Sequence, residues 1–191
     1  MNIQYLRERL SEIFEINFKE REELGASVSV WFQGEEVVSL ARGFCEKDKS
    51  RLWNENTLIP VWSATKGLAV TCVLKLLDTH NISTRSNVTD LWPEFGQSNK
   101  EKITFEQLLS HQAAIPAIDE NSSIFEYNDV IRSIEKQKPL WVVGSGHGYH
   151  PRIFGFLLDE IVRQLEGVSL GEYFNKTFAV PMNLDFWIGL P

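Results

Sequence analysis

The segment Gly67 to Leu77, GLAVTCVLKLL, holds one charged residue, Lys75, and no proline. It is too short for a membrane span, which needs about 20 apolar residues. A helix apolar nearly all round is buried on most of its faces, so this one demands neighbours. The rest of the chain supplies them. Helical patterns run over Ala64–Thr79, Thr104–Ser110, Ile124–Lys138, Ile153–Leu165 and Leu170–Phe178. Prolines 93, 116 and 139 and glycines 144, 146 and 148 mark the loops between them. Residues 63–191 therefore read as a helical domain.

Residues 1–62 read differently. Leu6, Leu10, Ile13, Phe14 and Phe18 recur at helical spacing and predict an amphipathic helix from Tyr5 to about Glu22. Ala26, Val28, Val30 and Phe32 then alternate with Ser27, Ser29 and Trp31, and Val37–Ala41 follows a turn at Gly34. This pattern predicts a β-hairpin, with Thr57–Trp62 extended ahead of the next helix. Two strands alone are marginal in water. No later segment adds to them convincingly, so the sheet is expected to be completed elsewhere, by a complementing C-terminal segment or by a homo-oligomer. The class is α+β.

Composition narrows the partners. A net charge of −7 without a basic stripe argues against nucleic acid or an anionic membrane. The N-terminus, MNIQYLRERLSEIFEINF, mixes charges throughout and lacks a signal-peptide core, so a cytoplasmic location is expected. Cys45 and Cys72 make no disulfide framework, and Cys72 reads as a small core residue. His147 and His150 lie in a loop without a third ligand at useful spacing, so neither a metal nor a cofactor is expected.

The apolar helix opens with an oddity. In IPVWSATKGLAV, Ser63 and Lys66 are three residues apart and share a face. Ser63 is a good N-cap type, and S-x-x-K is short enough to arise by chance as a cap followed by a solvated lysine. Here the lysine precedes an apolar run. Burial favours the neutral amine, which can take a proton from serine. The helix N-terminus favours negative charge at the hydroxyl.

Several blocks, taken in order, resemble the serine β-lactamase and penicillin-binding-protein superfamily, in its class C-like, esterase-type branch. PVWSATKGLAV is similar to the family's S-x-x-K motif. LLSHQAAIP is similar to its LL-[ST]-H-x-[AS]-G-[IL]-P block, with Ala114 in place of glycine. HGYHPRIFGFLLDEIVRQLEGVSLGEYF resembles the tyrosine block, and NLDFWIGLP the segment after it. The resemblance implies a β-lactamase/DD-peptidase-like fold, of which this chain holds the helical domain, the N-terminal helix and the first hairpin. The C-terminal sheet strands, with their K-T-G or H-x-G motif, are expected to be absent, since Lys176-Thr177 is followed by Phe178.

The resemblance also implies roles. Ser63 would form an acyl-enzyme with a small-molecule acyl substrate, Lys66 would be or share the general base, and Tyr149 would relay protons. The Ser63 N–H would form half of an oxyanion hole. His150 would either tune Tyr149 or hold its loop, the second being favoured. Pro151 stands where β-lactamases carry asparagine, which points to esters and other simple acyl groups. A literal Y-x-N copy, Tyr173-Phe174-Asn175, reads as packing inside a helical pattern. Trp53 and Trp62 would line an acyl pocket or fill core. The alternative to an enzyme is a non-catalytic binding or scaffold member, or an inactive fragment, of the same fold.

Overall fold

The computed structural model describes residues 2–189, in two compact units, Met1–Pro60 and Val61–Pro191. In the first, helix α1 (Ile3–Glu20) is capped by the Asn2 side chain, which accepts from the Tyr5 N–H. Strands β1 (Gly25–Phe32) and β2 (Glu35–Gly43) pair antiparallel. Their two-residue loop has φ +52° at Gln33 and +84° at Gly34, the left-handed pair that matches the twist of a hairpin. Ala26, Val28 and Val30 are half-buried, as the alternation predicts, whereas Phe32 of the same set is exposed. A bulge between Val30 and Trp31 then lets two consecutive residues of β2, Val37 and Val38, both be buried. Arg7 Nε donates to the Val37 carbonyl and ties α1 to β2.

The second unit is a helical domain. Its members are α2 (Thr65–Thr79), α3 (Phe105–Leu109), α4 (Tyr127–Lys136), α5 (Ile153–Glu166) and α6 (Leu170–Phe174). A π-helical turn, Asn175–Ala179, extends α6. Helix α5 is the hub and packs against α2, α4 and α6. Its residues Phe154, Leu157, Leu158, Ile161 and Val162 join Cys72, Val73, Leu76 and Leu77 of α2 in one core. Trp92, Phe95, Ile103 and Phe105 complete it. Thr104 caps α3 through a reciprocal box with Gln107.

The structure corrects the reading of α2. The helix buries one face, through Ala69, Cys72, Val73, Leu76 and Leu77, and leaves Gly67, Thr71, Leu74 and Lys75 exposed. Its apolar content exceeds what it buries: Leu74 is 43% exposed. The expected burial of Lys66 fails with it, since Lys66 is only half-buried. Ser63 is not the helix N-cap either. It lies in a 3-10 turn, Trp62–Ala64, that precedes α2, whose N-cap is Ala64.

Candidate active site

The turn before α2 presents Ser63 to solvent. Trp62 holds φ +49°, a left-handed conformation that costs a non-glycine residue about 1–2 kcal/mol, and its side chain is exposed. One helical turn on, Lys66 Nζ donates to Ser63 Oγ at 3.0 Å and to the Pro151 carbonyl at 3.1 Å. Tyr149 Oη meets Ser63 Oγ at 2.5 Å, and the Lys66 ammonium lies 5.1 Å from the Tyr149 ring centroid. Two side chains, from distant stretches of the chain, thus converge on the Ser63 hydroxyl oxygen. The hydrogen bond with Ser63, then that with Lys66, holds the Tyr149 phenol below its ordinary value, because both neighbours stabilise the phenolate.

Tyr149 is carried by a loop laid against residues 111–114. Leu140 N–H donates to the Ala114 carbonyl, Gly144 N–H to that of Gln112, and Gly148 N–H to that of His111. Gly148 fits because it lacks a side chain: a Cβ there would fall 2.5 Å from the Trp141 ring. His150 is fully buried and stacks on His111, with Nδ1 3.3 Å from the His111 Nδ1. Burial pushes His150 down to about 4 and holds His111 below the ordinary imidazole range. Both rings are therefore neutral at physiological pH.

A sequence model of the Beta-lactamase family matches residues 10–191. The chain belongs to the beta-lactamase family. It is 25% identical over 163 residues to the esterase/beta-lactamase LipL of Mycobacterium tuberculosis (strain ATCC 25618 / H37Rv), covering 84% of this chain and 38% of LipL. It superposes on a penicillin-binding protein homologue from Caulobacter crescentus with a TM-score of 0.89 and 35% identity, covering 95% of this chain and 50% of that one. A family VIII carboxylesterase gives a TM-score of 0.87 and 36% identity, with coverage of 97% and 52%. The fold is that of the serine β-lactamases and penicillin-binding proteins, in the esterase branch. The chain spans about half the length of these structures, and less of LipL.

Within this beta-lactamase-family chain the remaining sequence candidates separate cleanly. Tyr173 of the literal Y-x-N copy is half-buried in α6 and packs on the core. Pro151, in place of the asparagine, offers its carbonyl to Lys66. Ala114, in place of glycine, sits fully buried at φ +59°, a conformation glycine adopts without strain. Trp62 is 86% exposed beside Ser63, whereas Trp53 is half-buried in the first unit. Among the described residues no three His, Cys, Asp or Glu side chains are grouped to hold a metal, and no helix is long and apolar enough to cross a membrane. The last two residues of the NLDFWIGLP block lie outside the described residues.

Sequence reasoning missed the part played by His111, which has no charged or motif partner nearby in the chain. The one signal was its place in the LLSHQAAIP block.

Proposed function

We propose that this chain carries the nucleophile of a serine hydrolase acting on esters or other simple acyl substrates. The observation that supports it most is the double contact on Ser63 Oγ, from Lys66 and from Tyr149. Ser63 Oγ attacks the carbonyl carbon while its proton passes to the Lys66–Tyr149 pair. The lowered phenol of Tyr149 suits it to share that proton. The Ser63 N–H, at the positive end of α2, helps hold the oxyanion. As the tetrahedral adduct collapses, the carbon–alkoxide bond breaks and the Tyr149 hydroxyl protonates the leaving oxygen. Water then attacks the acyl-enzyme and gives a proton to the same pair, which returns it to Ser63 Oγ as the acyl C–O bond breaks and the acid leaves.

The geometry favours esters over amide-bearing β-lactams. The third position of the tyrosine motif is Pro151, whose side chain can neither donate nor accept a hydrogen bond. The family VIII carboxylesterase agrees with that preference by its name, whereas LipL is named for both activities.

Hydrolysis of a short-chain chromogenic ester by the full-length protein tests the reading. Ser63→Ala should abolish turnover, and Tyr149→Phe should lower kcat about 10²–10³-fold with little change in unfolding midpoint. Unchanged turnover in Ser63→Ala rejects the mechanism, and no turnover by the wild-type protein leaves the fold as a non-catalytic scaffold.

A further inference from the structure

His111 touches Tyr149 and both of its chain neighbours. Its carbonyl accepts the Gly148 N–H at 3.0 Å, and its Nδ1 accepts the His150 N–H at 3.3 Å. The ring meets the Tyr149 ring edge-on, with centroids 5.1 Å apart. On its other sides it packs against Phe154 and His150. His111 achieves this only in a left-handed conformation, φ +62°. A strained, non-glycine residue clasping the backbone on either side of one side chain fixes where that side chain can point.

The hydrogen bonds also fix two tautomers. Because His111 Nδ1 accepts a backbone N–H, its own proton must sit on Nε2. The facing His150 Nδ1 is then assigned the proton, because two bare ring nitrogens 3.3 Å apart would repel, and it shares the His111 lone pair with the His150 N–H. That leaves His150 Nε2 as a bare acceptor, and this atom is buried without a hydrogen-bond partner.

We propose that neutral His111, with its proton on Nε2, is the positioning residue that holds Tyr149 on Ser63, and that protonation of His111 opens the clasp. The inference rests on the catalytic reading of Tyr149 given above. A proton on Nδ1 would face the His150 N–H donor head-on, and the acceptor that orders the loop would be lost. The groups around His111 resist that proton. Burial opposes it first, and the charges of Lys66 and His147 add to the opposition. Tyr149 and His150 complete its surroundings. The clasp is therefore intact at neutral pH and fails only as pH falls below the ordinary histidine range.

The test uses the full-length protein with 15N-labelled histidines and 13C-labelled tyrosines. Long-range 1H–15N spectra at neutral pH should show His111 protonated on Nε2 and His150 on Nδ1. A proton on His111 Nδ1 overturns the proposal. Two variants then separate positioning from packing. His111→Leu removes the acceptor, and should shift or broaden the Tyr149 ring signals and slow fluorophosphonate labelling of Ser63 at least tenfold. His111→Asn places an amide oxygen near the position of Nδ1 and tolerates the left-handed backbone. It should restore the ring signals and most of the rate, and remove the wild-type loss of labelling at acid pH that His111 causes. Equal ring signals in all three proteins contradict the clasp. Absent labelling with intact ring differences rejects the catalytic reading alone and leaves the clasp standing.

Discussion

Two lysines of the helical unit show what burial does and does not achieve. Lys100 is fully buried, and its ammonium donates to the carbonyls of Gln97, Glu135 and Gln137, each at 2.7 Å. All three of its protons are used. Glu135 and Gln137 are at the C-terminal end of α4, where backbone carbonyls lack helical partners. Lys100 is thus a cap supplied from a distant loop, and it pins that loop to α4. Lys66 is half-exposed and has two partners, one of them the oxygen of a neighbouring hydroxyl. A saturated lysine holds structure. A lysine with a reactive partner and access to solvent can exchange a proton with it.

The largest expected effect falls on Lys66. Lys66→Met should lower ester hydrolysis about 10³-fold while moving the unfolding free energy by about 1 kcal/mol or less. Lys100→Met should do the reverse. It strands three carbonyls without donors, costs about 3 kcal/mol in urea unfolding, and leaves kcat near wild type below the melting temperature. If both variants lose activity and stability together, the distinction between the two lysines is wrong.

A smaller effect comes from pH. Burial lowers Lys100 to about 8 from its ordinary 10.5. The native state therefore releases this proton before the unfolded chain does. Below about 8 the desolvated charge costs stability, and the cost is relieved as pH climbs from about 8 to about 10.5. Across that window the unfolding free energy of wild type should gain on that of Lys100→Met by about 3 kcal/mol or less. A constant difference between the two proteins contradicts the shift.

The same pair shows how far the sequence could be read. The Ser63–Lys66 contact was legible because positions three apart on a helix must be neighbours. The hairpin turn and the α5 helix were legible from Gly34 and from the spacing of Ile153 to Leu165. The misreading of Lys66 as buried has a physical source. Apolar content in α2 does not say which residues become buried, and Leu74 stays 43% exposed. Lys100 was invisible for the opposite reason. It sits in the charged stretch SNKEK, and only a contact 35–37 residues away, at the end of α4, buries it. His111 acts on a loop 39 residues further along the chain. Tyr149 was reachable through the resemblance of its block, and the helical pattern around Tyr173 set the literal Y-x-N copy aside. Long-range hydrogen bonds made by single residues leave no periodic trace.

The account depends most on Ser63 being a nucleophile activated by Lys66 and Tyr149. Peptide mass mapping after treatment of the full-length protein with a fluorophosphonate measures this directly. The account predicts one modified residue, Ser63, with labelling at least a hundredfold slower in Lys66→Met and unchanged in Lys100→Met. Modification at another serine, or equal labelling of Ser63 in both lysine variants, contradicts it.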